Sequence, residues 1–288
     1  MVNHIHLSHL SGLRLTGEDA VAFAHSQFCS DIRTQAGNVW QLTAWSDAKG
    51  RCLSTILLQT HQDGVELIFP RTLDELLGRL RLFTIGRKVS LSTPMAVFGS
   101  RESSPPNQQA GRIAMTPERY LWLEPTDAPG QQKGNAAAAG NDPMADWILE
   151  DINAGIPWLT PATSGHFLPQ YLGLEALGRI DYRKGCYPGQ EIIARLHYLG
   201  KPKYHLARFH TTPDPDNPLN WPTGSRLTVL DDLYQGQTLD VLTCQAHADG
   251  QAGLVVAPIT IALPSRLAIE DEAGLSAQLE LVALEPLC

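Results

Sequence analysis

The chain has no run of about eighteen apolar residues, so nothing in it reads as a membrane-spanning helix. Its first residues, Met1-Val2-Asn3-His4-Ile5-His6, lack the basic-then-apolar order of a secretory signal. Five cysteines stand at positions 29, 52, 186, 244 and 288, an odd number with no CxxC pair. That excludes a disulfide framework and leaves no ordinary set of zinc or cluster ligands. No stably bound metal is expected, and a reducing cytoplasm is the natural location. His4, His6 and His9 crowd the N-terminus but have no Cys, Asp or Glu beside them, so a metal site there is the weaker reading.

The chain also lacks a basic excess, with a net charge of −8 over 288 residues. From residue 206 to the end, three Arg and Lys face eleven Asp and Glu, whereas residues 1–205 balance at nineteen each. Between 179 and 203 the sign reverses: six cations (Arg179, Arg183, Lys184, Arg195, Lys201, Lys203) face only Asp181 and Glu191. An isolated basic island suits a small anion better than a long nucleic-acid track. Membrane contact and direct nucleic-acid binding are therefore not expected.

Inside that island lies Lys184-Gly185-Cys186-Tyr187-Pro188-Gly189-Gln190-Glu191, one thiol between two glycines at what reads as a helix start. Ile192, Leu196 and Leu199 follow at i, i+4 and i+7, which places them on one apolar face of that helix. Glu191 and Arg195 stand four apart in the favourable acid-first order. A thiol near free N–H groups and an ammonium is expected to favour its thiolate, the nucleophilic and metal-binding form. Cys186 and Lys184 are the candidate reactive pair. Cys52 and Cys244 sit in apolar strand patterns, Cys29 ends a helix and Cys288 ends the chain, so packing or no role is expected of them.

Along the chain, strands are predicted at 10–16, 40–44, 52–59 and 65–69. A helix follows Thr16 and Asp19, which resemble a capping box, with Ala20, Phe23, Ala24 and Phe28 on its apolar face. Thr72 with Glu75 is expected to cap another helix, striped by Leu73, Leu76, Leu77, Leu80 and Phe83. Residues 103–111 and about 125–141 read as loops, the second as a mobile insertion. Asp142-Pro143 begins a helix that stops at Gly155. Beyond Lys203 the pattern is short strands between Pro, Gly and Asp turns. The fold class is α+β, with a boundary near residue 205 and residues 206–288 as a small C-terminal β-barrel.

Taken together, Pro169-Gln170, Lys184 to Glu191, Ala194-Arg195, His197-Tyr198 and Gly200-Lys201 resemble the hallmark of the YgfZ family. Leu15 to Ala20, Gln27 with Asp31, Asp47 to Arg51, Tyr120-Leu121-Trp122 and Ala154 to Trp158 match it upstream. The resemblance implies a folate-binding protein of aminomethyltransferase-like fold, residues 1–205 as two α+β lobes and 206–288 as a β-barrel around a central cavity. It also implies a link to iron–sulfur cluster assembly or repair and to the tRNA modification that depends on clusters. Its partners would be iron–sulfur enzymes or cluster-assembly proteins, and its cofactor tetrahydrofolate or a related reduced folate. It carries the family's functional cysteine onto Cys186.

On that resemblance Asp47 and Arg51 would line the folate cavity, with buried capping by Asp47 as the rival reading, and Gln190 and Glu191 would read a pterin edge. Equally, Glu191 would only pair with Arg195. Tyr187, Tyr198 and Trp158 would stack on the ring or simply be core. The basic island from Arg179 to Lys203, Arg195 and Lys201 included, would border the folate pocket and hold its glutamate tail. The family resembles the aminomethyltransferase of glycine cleavage, whose motif sets paired aspartates shortly after a Gly-Gly. Here Gly50-Arg51-Cys52-Leu53-Ser54-Thr55 offers hydroxyls instead, so aminomethyl transfer is not expected. The competing functions are a one-carbon transferase or demethylase, and an interaction scaffold without ligand.

Overall fold

The computed structural model describes residues 4–33, 38–73, 76–101, 110–126, 142–212, 221–247 and 250–284. The Thr72–Glu75 cap, the loop around 103–109, the insertion at 127–141 and Cys288 fall wholly or partly outside these residues. The first 125 residues build one nine-stranded sheet. Its order across the sheet is Ile5–His6, Met95–Ser100, Thr116–Pro125, Gly111–Ile113, Val39–Ser46, Cys52–His61, Gly64–Pro70, Leu10–Thr16 and Ser90–Leu91. Every neighbouring pair is antiparallel except Val39–Ser46 with Gly111–Ile113. A bridge from Gly12 to Met95 joins the sheet back on itself.

Both faces of this curled sheet are covered, and the side-chain period of two sends alternate residues to different cores. Leu57 and Ile68 join one core; Ile56, Leu58, Leu67 and Phe69 join the other. That is why these strands read as nearly continuous apolar runs. Helix α1 (Ala20–Gln27) covers the second core with Ala20, Phe23 and Ala24. Its capping box does not form: Asp19 makes no side-chain cap and instead accepts the Lys88 backbone N–H at 2.8 Å. A tertiary partner took the carboxylate that sequence assigned locally. Helix α2 (Leu76–Leu82) buries Leu80, while Phe83 beyond it is exposed.

Helix α3 (Pro143–Asn153) starts where expected, with Asp142 accepting the Met144 N–H. Its Trp147 and Ile152 enter the first core, as do Trp158, Tyr187 and Ile193. Helix α4 (Gln190–Leu199) follows the cysteine motif. Among the described residues no helix is long and apolar enough to cross a membrane. From Tyr204 onward six strands close a barrel, including Ser265–Glu270, which the turn pattern did not reveal. Leu206, Leu254 and Val256 of the barrel also belong to the first core.

The apolar face expected for α4 is not the one that is buried. Ile193 is fully buried, Ile192 and Leu196 are half-buried, and Leu199 is 85% exposed. The helix is rotated by what holds its start. Gly189, at φ 78°, lies so close to the turn Asp47–Gly50 that an added Cβ would come 2.5 Å from the Asp47 carbonyl oxygen. The Gln170 amide also donates to the Ile193 carbonyl at 2.7 Å. By contrast, a Cβ at Gly185 would meet nothing within 4 Å. Gly189→Ala should therefore lower unfolding free energy by ~2 kcal/mol or more, and Gly185→Ala should change it by less than ~0.5 kcal/mol. Denaturant titration of the two variants checks this contrast.

Candidate active site

The cysteine loop is built by its neighbours pointing inward. Asp181 accepts the backbone N–H groups of Arg183 and Lys184 at 2.7 and 3.0 Å, which turns the chain. Lys184 then runs into the protein, only 7% exposed. Its ammonium donates to the carbonyls of His25, Phe28 and Ser30 at 2.5, 2.7 and 2.7 Å. These oxygens lie at and just past the C-terminal end of α1, where a cation is favoured. The same nitrogen stands 5.3 Å from the centre of the Tyr187 ring, which is also buried. Gln190 closes the loop by donating its amide to the Lys184 carbonyl at 3.2 Å. Between these anchors, Gly185 and Cys186 are left exposed on a fixed loop.

Burial sets the titration of the loop's supports. It pushes the Lys184 ammonium down to about 8 from 10.5, against the opposing pull of Cys29, Asp31 and Asp181. It also raises the Tyr187 phenol. The other described cysteines are less available. Burial raises Cys29 and Cys52, both fully buried, and lifts Cys244 to about 11.

Beside the loop lies a polar cleft of ≈ 500 Å³ whose lining includes Asp31, Gln41, Arg179, Asp181, Tyr182 and Arg183. Arg179 donates to the Gln41 side-chain oxygen at 3.1 Å, and its Nε is buried without a partner. Asp31 is held below the usual carboxylate range by the hydrogen bond from Arg33. At the opposite rim the rings of Tyr182 and His197 stack with centroids 3.9 Å apart, and Tyr198 stands edge-on to both. Glu175 secures the pair, accepting from the Tyr182 hydroxyl at 2.7 Å and contacting His197 Nδ1. Burial, then Glu175, raises the Tyr182 phenol, so it stays a neutral donor. The cleft thus offers an aromatic platform, amide and carboxylate groups, and two guanidinium groups.

The residues singled out from sequence are distributed as follows. Lys184 and Tyr187 support the loop from within, and Gln190 ties it shut. Glu191 and Arg195 pair with each other at 3.2 Å, both highly exposed, a contact worth little by itself. Lys201 is exposed at the end of α4. Asp47 and Arg51 line a different cleft on the far side of α4, together with Lys203 and Ile192. Trp158 is core, donating to Asp151 at 2.8 Å. His4 and His6 pack edge-on to Trp122 and tilted on Phe98. Gln41, Glu175 and Tyr182 carried no sequence signal. Asp31 and His197 lay within matched stretches without being assigned to a site, and Arg179 and Arg183 belong to the basic island expected to border the folate pocket.

The architecture is that of the aminomethyltransferases. The solved glycine cleavage system aminomethyltransferase T from Bartonella henselae superposes with a TM-score of 0.69 over 98% of this chain and 85% of its own. At 12% identity this shows the fold alone. No family model matches the chain. Sequence relatives carry the identification further. The tRNA-modifying protein YgfZ of Yersinia pseudotuberculosis (serotype O:1b, strain IP 31758) is 30% identical over 73% of this chain and 72% of its own length. Its namesake from Cronobacter sakazakii is 28% identical over 67% and 66%. The chain belongs to the YgfZ family.

Proposed function

We propose that this protein is a folate-dependent accessory factor for the assembly or repair of iron–sulfur clusters, serving cluster enzymes that include tRNA-modifying ones. The observation that carries this reading is an exposed thiol, Cys186, held three residues beyond the cleft-lining stretch Asp181-Tyr182-Arg183. The name borne by the relatives, tRNA-modifying protein, supports the link to tRNA modification.

The cleft fits a reduced folate on chemical grounds. Asp31 and the Gln41 amide match the alternating donors and acceptors of a pterin edge. Tyr182, His197 and Tyr198 offer faces for a flat ring, and the cleft-lining guanidinium groups of Arg179 and Arg183 suit a carboxylate tail. Folate would supply a redox-active pterin that carries one-carbon units. This chain's own residues would bind it, orient it and present the thiol. A cluster is cargo here: among the described cysteines Cys186 alone is exposed, and a single thiol cannot hold a cluster, so partner ligands would complete its coordination.

Two side chains speak against aminomethyl transfer as the main activity. The Ser54 hydroxyl donates to the Thr55 carbonyl and Thr55 Oγ1 to the Pro157 carbonyl, at 2.8 and 2.6 Å. Both are buried; Thr55 ties Pro157 to the sheet and Ser54 bonds only within its own strand, so neither is placed to serve as an acid or base.

Titration with tetrahydrofolate tests the reading. Saturable binding is expected, weakened at least tenfold by Arg179→Ala without loss of the folded state, as for a charge-assisted contact of about 1.5–3 kcal/mol. No saturable binding by the native protein would leave a ligand-free scaffold. Turnover of a methylamine-linked donor would favour a transferase.

A further inference from the structure

The cleft on the far side of α4 is larger than the folate cleft, ≈ 890 Å³, and no part of the proposed function uses it. It opens where the turn Asp47–Arg51, the segment 165–171 and the first barrel strand meet. Four cations face it (Lys49, Arg51, Lys203 and Arg226) in a chain of net charge −8. The two carboxylates present are already engaged. Asp47 accepts the backbone N–H groups of Lys49 and Arg51, both at 2.8 Å, and Asp240 pairs with Arg226 at 3.2 Å. Arg51 donates to the neutral His166 carbonyl. Among the described residues, no carboxylate forms an ion pair with Lys49, Arg51 or Lys203. The floor carries two tyrosines, Tyr171 and Tyr204, with ring centres 5.3 Å apart and nearly edge-on, and Tyr204 is 38% exposed.

An open aromatic face beside three cations that form no ion pair, with Asp47 turned to backbone N–H groups, suits a ligand that is flat at one end and multiply anionic at the other. The volume lies within the range of small-ligand pockets. We infer that this second cleft binds a nucleoside phosphate, with the base on Tyr204 and the phosphates between Lys49, Arg51 and Lys203. Free nucleotides and the phosphorylated end of an RNA share that chemistry. The inference stands on the cleft's own residues and does not depend on folate occupying the other one.

Calorimetric titration of the full chain tests it with AMP, ATP, inorganic triphosphate, a 5′-phosphorylated trinucleotide RNA and a pentaglutamate peptide. ATP is expected to bind more tightly than AMP, and affinity is expected to fall steeply with salt. Lys49→Glu with Lys203→Glu, both exposed positions, should weaken ATP at least tenfold. Tyr204→Ala should weaken ATP but leave inorganic triphosphate unchanged. Saturating tetrahydrofolate and Arg179→Ala should leave all of these values unchanged. Tighter binding of the RNA than of ATP would assign the ligand to an RNA end within the same proposal. Binding of neither nucleotide nor RNA would overturn it. So would equal binding of pentaglutamate, or competition with tetrahydrofolate.

Discussion

Cys186→Ala is expected to abolish support of cluster-dependent enzymes in a deletion strain while leaving the protein folded and folate-competent. The thiol is exposed and makes no packing contact that the loop depends on, since Lys184, Tyr187 and Gln190 supply its anchors. Its loss should therefore change unfolding free energy by less than ~0.5 kcal/mol, the usual range for a surface position. Tetrahydrofolate affinity should stay within about twofold, well under the ~1.4 kcal/mol that a tenfold change represents. The activity of a cluster-containing tRNA-modifying enzyme, measured in extracts of the complemented strain, should fall to the level of the uncomplemented one. Cys29→Ala and Cys52→Ala should show the opposite pattern: stability losses of ~1–3 kcal/mol from their buried sites, with function retained at low temperature.

Lys184→Met should be the most destabilising single change at the site. Methionine fits a long buried channel, but it leaves three carbonyl oxygens, of His25, Phe28 and Ser30, facing an apolar side chain. Each unsatisfied buried acceptor costs ~1–3 kcal/mol. Relief of the ammonium's burial penalty offsets part of that, so a net loss of ~3 kcal/mol is expected. The pH dependence identifies the group. Below about pH 8 Lys184 is protonated in both folded and unfolded chains. From about 8 up to 10.5 the unfolded chain holds the extra proton, so the Lys184 contribution to stability rises with pH across that window. The gap between native protein and variant should widen there, because groups common to both cancel. Denaturant midpoints at pH 7.5 and 10 measure it.

Local patterns carried much of the fold. The Asp142-Pro143 helix start, the apolar face of α1 and the strand-and-turn rhythm after Lys203 depend on neighbours in sequence, and the structure contains each of them. What local pattern could not show depends on contacts between distant segments. The rotation of α4 is set by Gly189 meeting Gly50, some 140 residues away, so the i, i+4, i+7 stripe is not the face that is buried. The strand at 265–270 is short, and half its residues face outward.

At the site, the motif around Cys186 was plain in sequence, and its chemistry was not. Lysine two residues before a thiol reads as an electrostatic neighbour. The structure turns that ammonium inward onto α1, and its contribution is to position the loop. The basic island was real in charge but not in space. Arg179 and Arg183 line one cleft, Lys203 the other, Lys184 is buried and Arg195 pairs with Glu191. The platform of Tyr182 and His197 depends on Glu175, twenty-two residues before His197, a spacing no helical or strand period marks.

If the exposed thiol and the polar cleft form one site, a ligand in the cleft must screen the thiol. The rate at which a small alkylating reagent modifies Cys186, in Cys288→Ser protein at neutral pH with and without saturating tetrahydrofolate, tests it most directly. Cys186 should react first, ahead of the buried Cys29 and Cys52 and of Cys244, whose thiol burial raises to about 11. Bound folate should slow that reaction at least threefold. An unchanged rate at a folate concentration shown by titration to saturate the protein would separate the thiol from the cleft and contradict the account.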